Sequence, residues 1–148
     1  MTDAEPVLLD TDTLSELSRG NTRVCQRALD YLSSFGRLTI TAITVFERLR
    51  GYRLAIQNGR PYQRQMQAFQ TLVASSDVLP FDEDAAGIAG EIWSRLSANR
   101  RGQLGDILIA AIAVSRQLPL VTRNRRDFEE LGRAGAASLR LLDWSARG

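Results

Sequence analysis

The sequence predicts an α/β domain built around a parallel sheet, and three observations carry that prediction. Short apolar, often β-branched runs alternate with segments of helical periodicity along the chain. At 148 residues the chain is long enough for one sizeable core and too short for two domains. No repeat or low-complexity segment breaks the alternation, so residues 1–148 read as a single domain.

The elements follow in order. Val7 to Leu9 is a buried strand ending at Asp10, and Thr13 to Leu17 opens a helix with capping-box spacing from Thr13 to Glu16. Arg23 to Phe35 is a second helix closed by Gly36. Leu38 to Thr41 is a second strand, followed from Thr44 by a helix through Glu47 to Ile56 and a loop at residues 58–61. Met66, Phe69, Leu72 and Val73 make one stripe of another helix. Val78 to Phe81 is a strand, and Asp82 or Asp84 caps a helix whose stripe is Ala85, Ile88, Ala89, Ile92, Trp93 and Leu96. After a polar loop from Asn99 to Gly105, Asp106 starts a helix whose next eight residues are apolar, hence buried on every side. Leu120 to Thr122 is a strand, Asp127 to Leu131 a short helix, and Leu139 to Leu142 the last strand.

Composition narrows the chemistry. There is no histidine, Cys25 stands alone, and all 19 basic residues are arginine, so the chain has no lysine either. Histidine acid–base catalysis, Ser-His-Asp and Cys-His nucleophiles and histidine-ligated zinc are excluded. The Walker lysine and Schiff-base chemistry are excluded with them. Carboxylates, hydroxyls, arginine and hard metal ions remain. Arginine forks well onto phosphate, although a GC-rich genome gives the same bias, and a net charge of +2 argues nothing about nucleic acid alone. No run of about 18 apolar residues is present to span a membrane, and the polar stretch Met1 to Pro6 is unlike a secretory signal. The expectation is a cytoplasmic protein.

Four acids follow strands. Asp10 ends the first, Glu47 comes shortly after the second, Asp106 leads the apolar helix, and Asp127 lies with Asn124 beyond Leu120–Thr122. Each has an ordinary alternative. Asp10 or Asp12 serves as an N-cap, Thr44 to Glu47 is itself a capping box, Asp106 caps its helix, and Asn124 is a good N-cap with Asp127 a solvated first-turn acid. Together they say more, because the carboxyl ends of parallel strands gather on one edge, where α/β proteins bind ligands. Carboxylates collected there would repel one another unless a cation neutralised them, and all-oxygen ligation selects Mg²⁺ or Mn²⁺. Such ions assist phosphoryl displacement. Arg100, Arg101, Arg123, Arg125 and Arg126 lie in segments able to flank that edge and bind phosphates.

Four segments then resemble the PIN-domain nucleases, and closely the VapC toxins of type II toxin–antitoxin modules. They are Val7-Leu8-Leu9-Asp10-Thr11-Asp12-Thr13-Leu14, Ile40-Thr41-Ala42-Ile43-Thr44-Val45-Phe46-Glu47, Gly105-Asp106-Ile107-Leu108-Ile109-Ala110-Ala111, and Leu120-Val121-Thr122-Arg123-Asn124-Arg125-Arg126-Asp127-Phe128. The resemblance implies a three-layer α/β/α fold with a central, mostly parallel sheet of four to five strands. It implies that Asp10, Glu47, Asp106 and Asp127 are catalytic, metal-holding acids, with Asp12, Thr122 and Asn124 in support. The fourth acid falls in relatives at the position of Asn124 or of Asp127, and Asp12 stands where many carry asparagine. It further implies Mg²⁺ or Mn²⁺ as cofactor, and endonucleolytic hydrolysis of RNA to a 5′-phosphate and a 3′-hydroxyl. The implied partners are an antitoxin that blocks the acidic groove and a second copy in a homodimer.

Two other readings remain at this level. Asp10-Thr11-Asp12-Thr13 fits the nucleophile motif of haloacid-dehalogenase-type phosphatases, with Asp10 as nucleophile, although the chain lacks that superfamily's lysine. A non-catalytic RNA-binding PIN module is the other.

Overall fold

Leu8 and Leu9 form strand β1 (Leu8–Leu9), with side chains at most 1% exposed because both faces of the strand are covered. The computed structural model describes residues 4–147, so part of the polar N-terminal stretch lies outside the described residues. Helix α1 (Thr11–Ser18) starts immediately after β1, capped by Asp10, and the predicted Thr13–Glu16 capping box is not formed. An extended backbone at Asp10 lets its carboxylate reach the Thr13 N–H, which places the helix start two residues early. Helix α2 (Thr22–Phe35) is capped by Asn21 and closed by Gly36 at φ +78°, a left-handed conformation suited to glycine.

Strand β2 (Thr39–Thr41) leads into α3 (Ala42–Gln57), which is followed by α4 (Gln63–Ala74), β3 (Asp77–Leu79) and α5 (Glu83–Arg95). Then come α6 (Leu104–Ser115), β4 (Leu120–Val121), α7 (Arg125–Ala134) and β5 (Leu141–Leu142). The five strands form two ladders, β1-β4-β5 and β2-β3, and every pairing within them is parallel. β2 lies alongside β1 without extending its ladder. The Val7 N–H, beside β1, is taken instead by the Tyr31 hydroxyl of α2 at 3.2 Å.

Side chains alternate across this sheet and make the layers. Leu8 and Leu120, paired in register, face a core closed by α5, α6 and α7. Leu9 and Val121, the next pair, face the opposite core with Leu14, Val24, Ala28 and Phe69 from α1, α2 and α4. Ile107 and the run Ile109 to Ala113 of α6 are buried, while Leu108 and Val114 are only partly so, short of the burial on every side that its apolar sequence predicts. The stripe of α5 holds at Ala85, Ala89, Ile92 and Leu96, but Trp93 departs from it at 45% exposed. It sits one position off the buried face, and its ring is covered by the Arg101 guanidinium 4.2 Å from the centroid. Among the described residues no helix is long and apolar enough to cross a membrane.

Candidate functional site

The carboxyl ends of β1, β2 and β4 open at one edge, and the acids collect there. Asp10 is only 3% exposed. Burial lifts its carboxyl from 3.8 to about 6, against hydrogen bonds from Thr122 and from the Thr13 N–H, while the nearby Asp12 charge adds to the rise. Asp10 is therefore both cap and site acid; the two readings do not exclude each other. Asp12 is exposed in the first turn of α1.

Glu47 is released from the capping role. Thr41 caps α3 by accepting the Thr44 N–H at 3.1 Å, so Glu47 falls in the second turn and no Thr44–Glu47 capping box forms. Its Oε1 accepts instead from the Thr11 hydroxyl at 2.9 Å. Thr11 Oγ1 stands 3.0 Å from Thr44 Oγ1, which receives the Thr41 hydroxyl at 3.4 Å, so a run of three hydroxyls ends on the carboxylate. On its other side Glu47 lies against Gly105, where a Cβ would meet Oε2 at 2.6 Å.

Asp106 is in the first turn of α6, whose N-cap Gln103 makes no side-chain cap bond. Its carboxyl rises from 3.8 to about 7, chiefly through burial and then through the charges of Asp10, Glu47, Asp12 and Asp127. Gly105, next to Asp106, packs against Glu47, and Thr122 links Asp10 to Asn124 and so to Asp127, which brings acids from separate segments to one edge.

The fourth position is a small network. Asn124 makes no side-chain cap for α7, contrary to expectation; its Nδ2 donates to Asp127 Oδ2 at 2.8 Å. The buried Thr122 Oγ1 accepts the Asn124 N–H at 2.9 Å. Arg100 Nη1 stands 3.5 Å from Asp127 Oδ1, and Glu130 holds the same guanidinium.

The five flanking arginines fare differently. Arg123 pairs with Glu16 at 2.7 Å, Arg125 reaches towards Glu129 at 3.8 Å, and Arg101 lies on Trp93. Arg100 joins the acids, and Arg126 is exposed on the first turn of α7. Thr11, Gly105 and Glu130 were not singled out from the sequence, and Thr44 was read only as the start of a capping box. Glu130 alone carried a local signal, lying one helical turn after Asp127.

Among the described residues no three acidic side chains are already close enough together to hold an ion. The donor chemistry nevertheless fits one. The set is all carboxylate oxygen, its neighbouring charges add to the burial that lifts Asp106 to about 7, and the missing Cβ of Gly105 leaves the Glu47 carboxylate its place.

Comparison with known proteins gives the chain's relatives. The PIN domain family pattern matches residues 7–134. The tRNA(fMet)-specific endonuclease VapC of Shigella flexneri is 33% identical over 112 residues, covering 74% of this chain and 77% of its own. Ribonuclease VapC5 of Mycobacterium tuberculosis is 35% identical over 121 residues, covering 78% and 83%. The solved structure of DNA-bound VapBC from Salmonella typhimurium superposes with a TM-score of 0.74 at 26% identity, covering 95% of this chain and 99% of its own.

Proposed function

Because the chain belongs to the PIN-domain family, with VapC ribonucleases among its relatives, we propose that it is a ribonuclease acting as the toxin of a type II toxin–antitoxin module. Family membership sets aside the phosphatase reading of Asp10. The observation that supports the nuclease reading best is the convergence of Asp10, Glu47 and Asp106, with Asp127 beside them, on one edge of the parallel strands. The reaction is endonucleolytic hydrolysis of an RNA phosphodiester, and Mg²⁺ or Mn²⁺ is the cofactor.

Asp10, Glu47 and Asp106 would hold the ion, which when bound supplies the positive charge that stabilises a phosphodiester under attack. The chain's own groups prepare that place. Thr11 holds Glu47 by its Oε1, and Thr122 and the Thr13 N–H hold Asp10. Asp106 near pH 7 is divided between its protonated and charged forms without a cation, so uptake of the ion releases protons. Arginines at the rim offset the repulsion between RNA phosphates and the acids. An antitoxin neutralises the enzyme by covering this edge, and the working state is a homodimer.

Expression in a bacterial host tests the reading. Brief induction should arrest growth and yield new RNA 5′-ends carrying phosphate, and a co-expressed cognate antitoxin should suppress both. Growth arrest without new RNA ends would refute the ribonuclease assignment.

A further inference from the structure

Glu130 takes one edge of the Arg100 guanidinium: Nε stands 2.8 Å from Oε2, and Nη2 donates to Oε1 at 2.9 Å. One hydrogen bond and a second short contact to the same carboxylate restrain the plane of the guanidinium as well as its position. The other end, Nη1, is left 3.5 Å from Asp127 Oδ1, beyond a good hydrogen bond, and makes none among the described residues. Nη1 faces the Asp127 carboxylate at ion-pair distance at the border of the acidic site and keeps hydrogen-bonding capacity for a further acceptor.

Asp127 is occupied from the other side by Asn124, which is tied through Thr122 to Asp10. An unbroken run of contacts thus leads from Asp10 to Arg100. The Asp127 carboxylate already answers an amide and a cation.

We propose that Arg100 binds an RNA phosphate at the rim of the site, and that Asp127 and Glu130 are positioning residues that hold its guanidinium rather than ligands of the ion. The proposal rests on the ribonuclease reading and sharpens it, choosing Arg100 from the five flanking arginines. Arg123 and Arg101 are committed elsewhere, to Glu16 and to Trp93, and Arg125 lies nearest Glu129.

The test has two arms. Calorimetric titration of Mn²⁺ compares the unaltered chain with Asp127→Asn and Asp10→Asn. Asp127→Asn should keep Mn²⁺ affinity within about threefold, while Asp10→Asn loses it, as expected for an outer partner against a direct ligand. The second arm measures affinity for single-stranded RNA in EDTA across a salt series. Arg100→Gln should weaken binding about tenfold and reduce the slope of log affinity against log salt by about 0.7, the value of one phosphate contact on a single strand. In a Glu130→Gln background the same substitution should cost at most about twofold, because the guanidinium is no longer held in place. Loss of Mn²⁺ binding in Asp127→Asn to the level of Asp10→Asn would overturn the proposal. So would an unchanged affinity and salt slope in Arg100→Gln. Failure of the unaltered chain to bind Mn²⁺ would instead overturn the metal reading, and the metal-free RNA arm would still judge Arg100.

Discussion

Replacing Gly105 with alanine should separate stability from function. A Cβ at this position would stand 2.6 Å from Glu47 Oε2 and 3.1 Å from Cδ, where ordinary contact begins at 3.4 Å. The oxygen must therefore retreat by about 0.8 Å. The group that moves is the end of a flexible side chain, so the fold has no reason to suffer. Alanine is indeed the better helix former by about 1 kcal/mol, and position 105 lies in the first turn of α6. The melting temperature should hold, or rise by about 2–4 °C for a chain of this length. Cleavage should fall, because a retreat of that size also pulls Oε1 from the Thr11 hydroxyl, and a displacement near 1 Å at a reacting site costs about a hundredfold in rate. Single-turnover RNA cleavage with Mn²⁺ reads the loss, and calorimetry reads the stability. In a Glu47→Ala background Gly105→Ala should cost nothing further, since no carboxylate is left to displace. Cleavage within about threefold of the unaltered chain would refute the reasoning, and so would a drop in melting temperature.

Other perturbations have equally definite outcomes. Metal-free stability should depend on pH with the sign of raised carboxyls. Asp10 at about 6 and Asp106 at about 7 both lie above their ordinary 3.8, so their contribution is full below about pH 4 and is lost as pH rises through 6 to 7. For buried Asp10 the lift is worth about 3 kcal/mol at most, seen as a falling melting temperature between pH 4 and 8 that saturating Mn²⁺ should reverse. Asp106→Asn should remove cleavage yet raise the metal-free melting temperature at pH 8, because a repelled, buried charge is deleted; a lower value would contradict the assignment. Glu47→Gln keeps an oxygen for the Thr11 hydroxyl, so activity should disappear at an unchanged melting temperature. Tyr31→Phe removes the hydroxyl that takes the Val7 N–H and should cost about 1 kcal/mol, measurable by urea unfolding, with cleavage unaffected.

Much of this was legible in the sequence because strand ends are punctuated. An apolar run followed by an acid marks the carboxyl end of a parallel strand, as at Asp10, whereas Asp106 follows helix α5 and a loop rather than a strand and reaches the same edge from the start of α6. Helix starts were less legible. Thr41 rather than Thr44 caps α3, while at α1 the Asp10 cap that the sequence offered forms in place of the Thr13–Glu16 box, since adjacent threonines and acids compete for the same N–H groups over two or three residues. That small shift decides a functional question, because it frees Glu47 from the helix end and hands it to Thr11. Arginine pairing was not legible at all. Arg100 meets Glu130 and Arg123 meets Glu16 across loops whose course depends on the packing of α5, α6 and α7. Trp93 was placed in the core stripe although it lies one position off it, an error that a period of 3.6 residues readily produces.

The central claim is that this carboxylate cluster is a metal-dependent centre for cutting RNA. Purified chain incubated with RNA in EDTA, and then in Mn²⁺, beside the Asp106→Asn variant, tests it most directly. No cleavage is expected in EDTA, cleavage to 5′-phosphate ends in Mn²⁺, and none by the variant at any metal concentration although it stays folded. Cleavage in EDTA, or undiminished cleavage by Asp106→Asn, would contradict it.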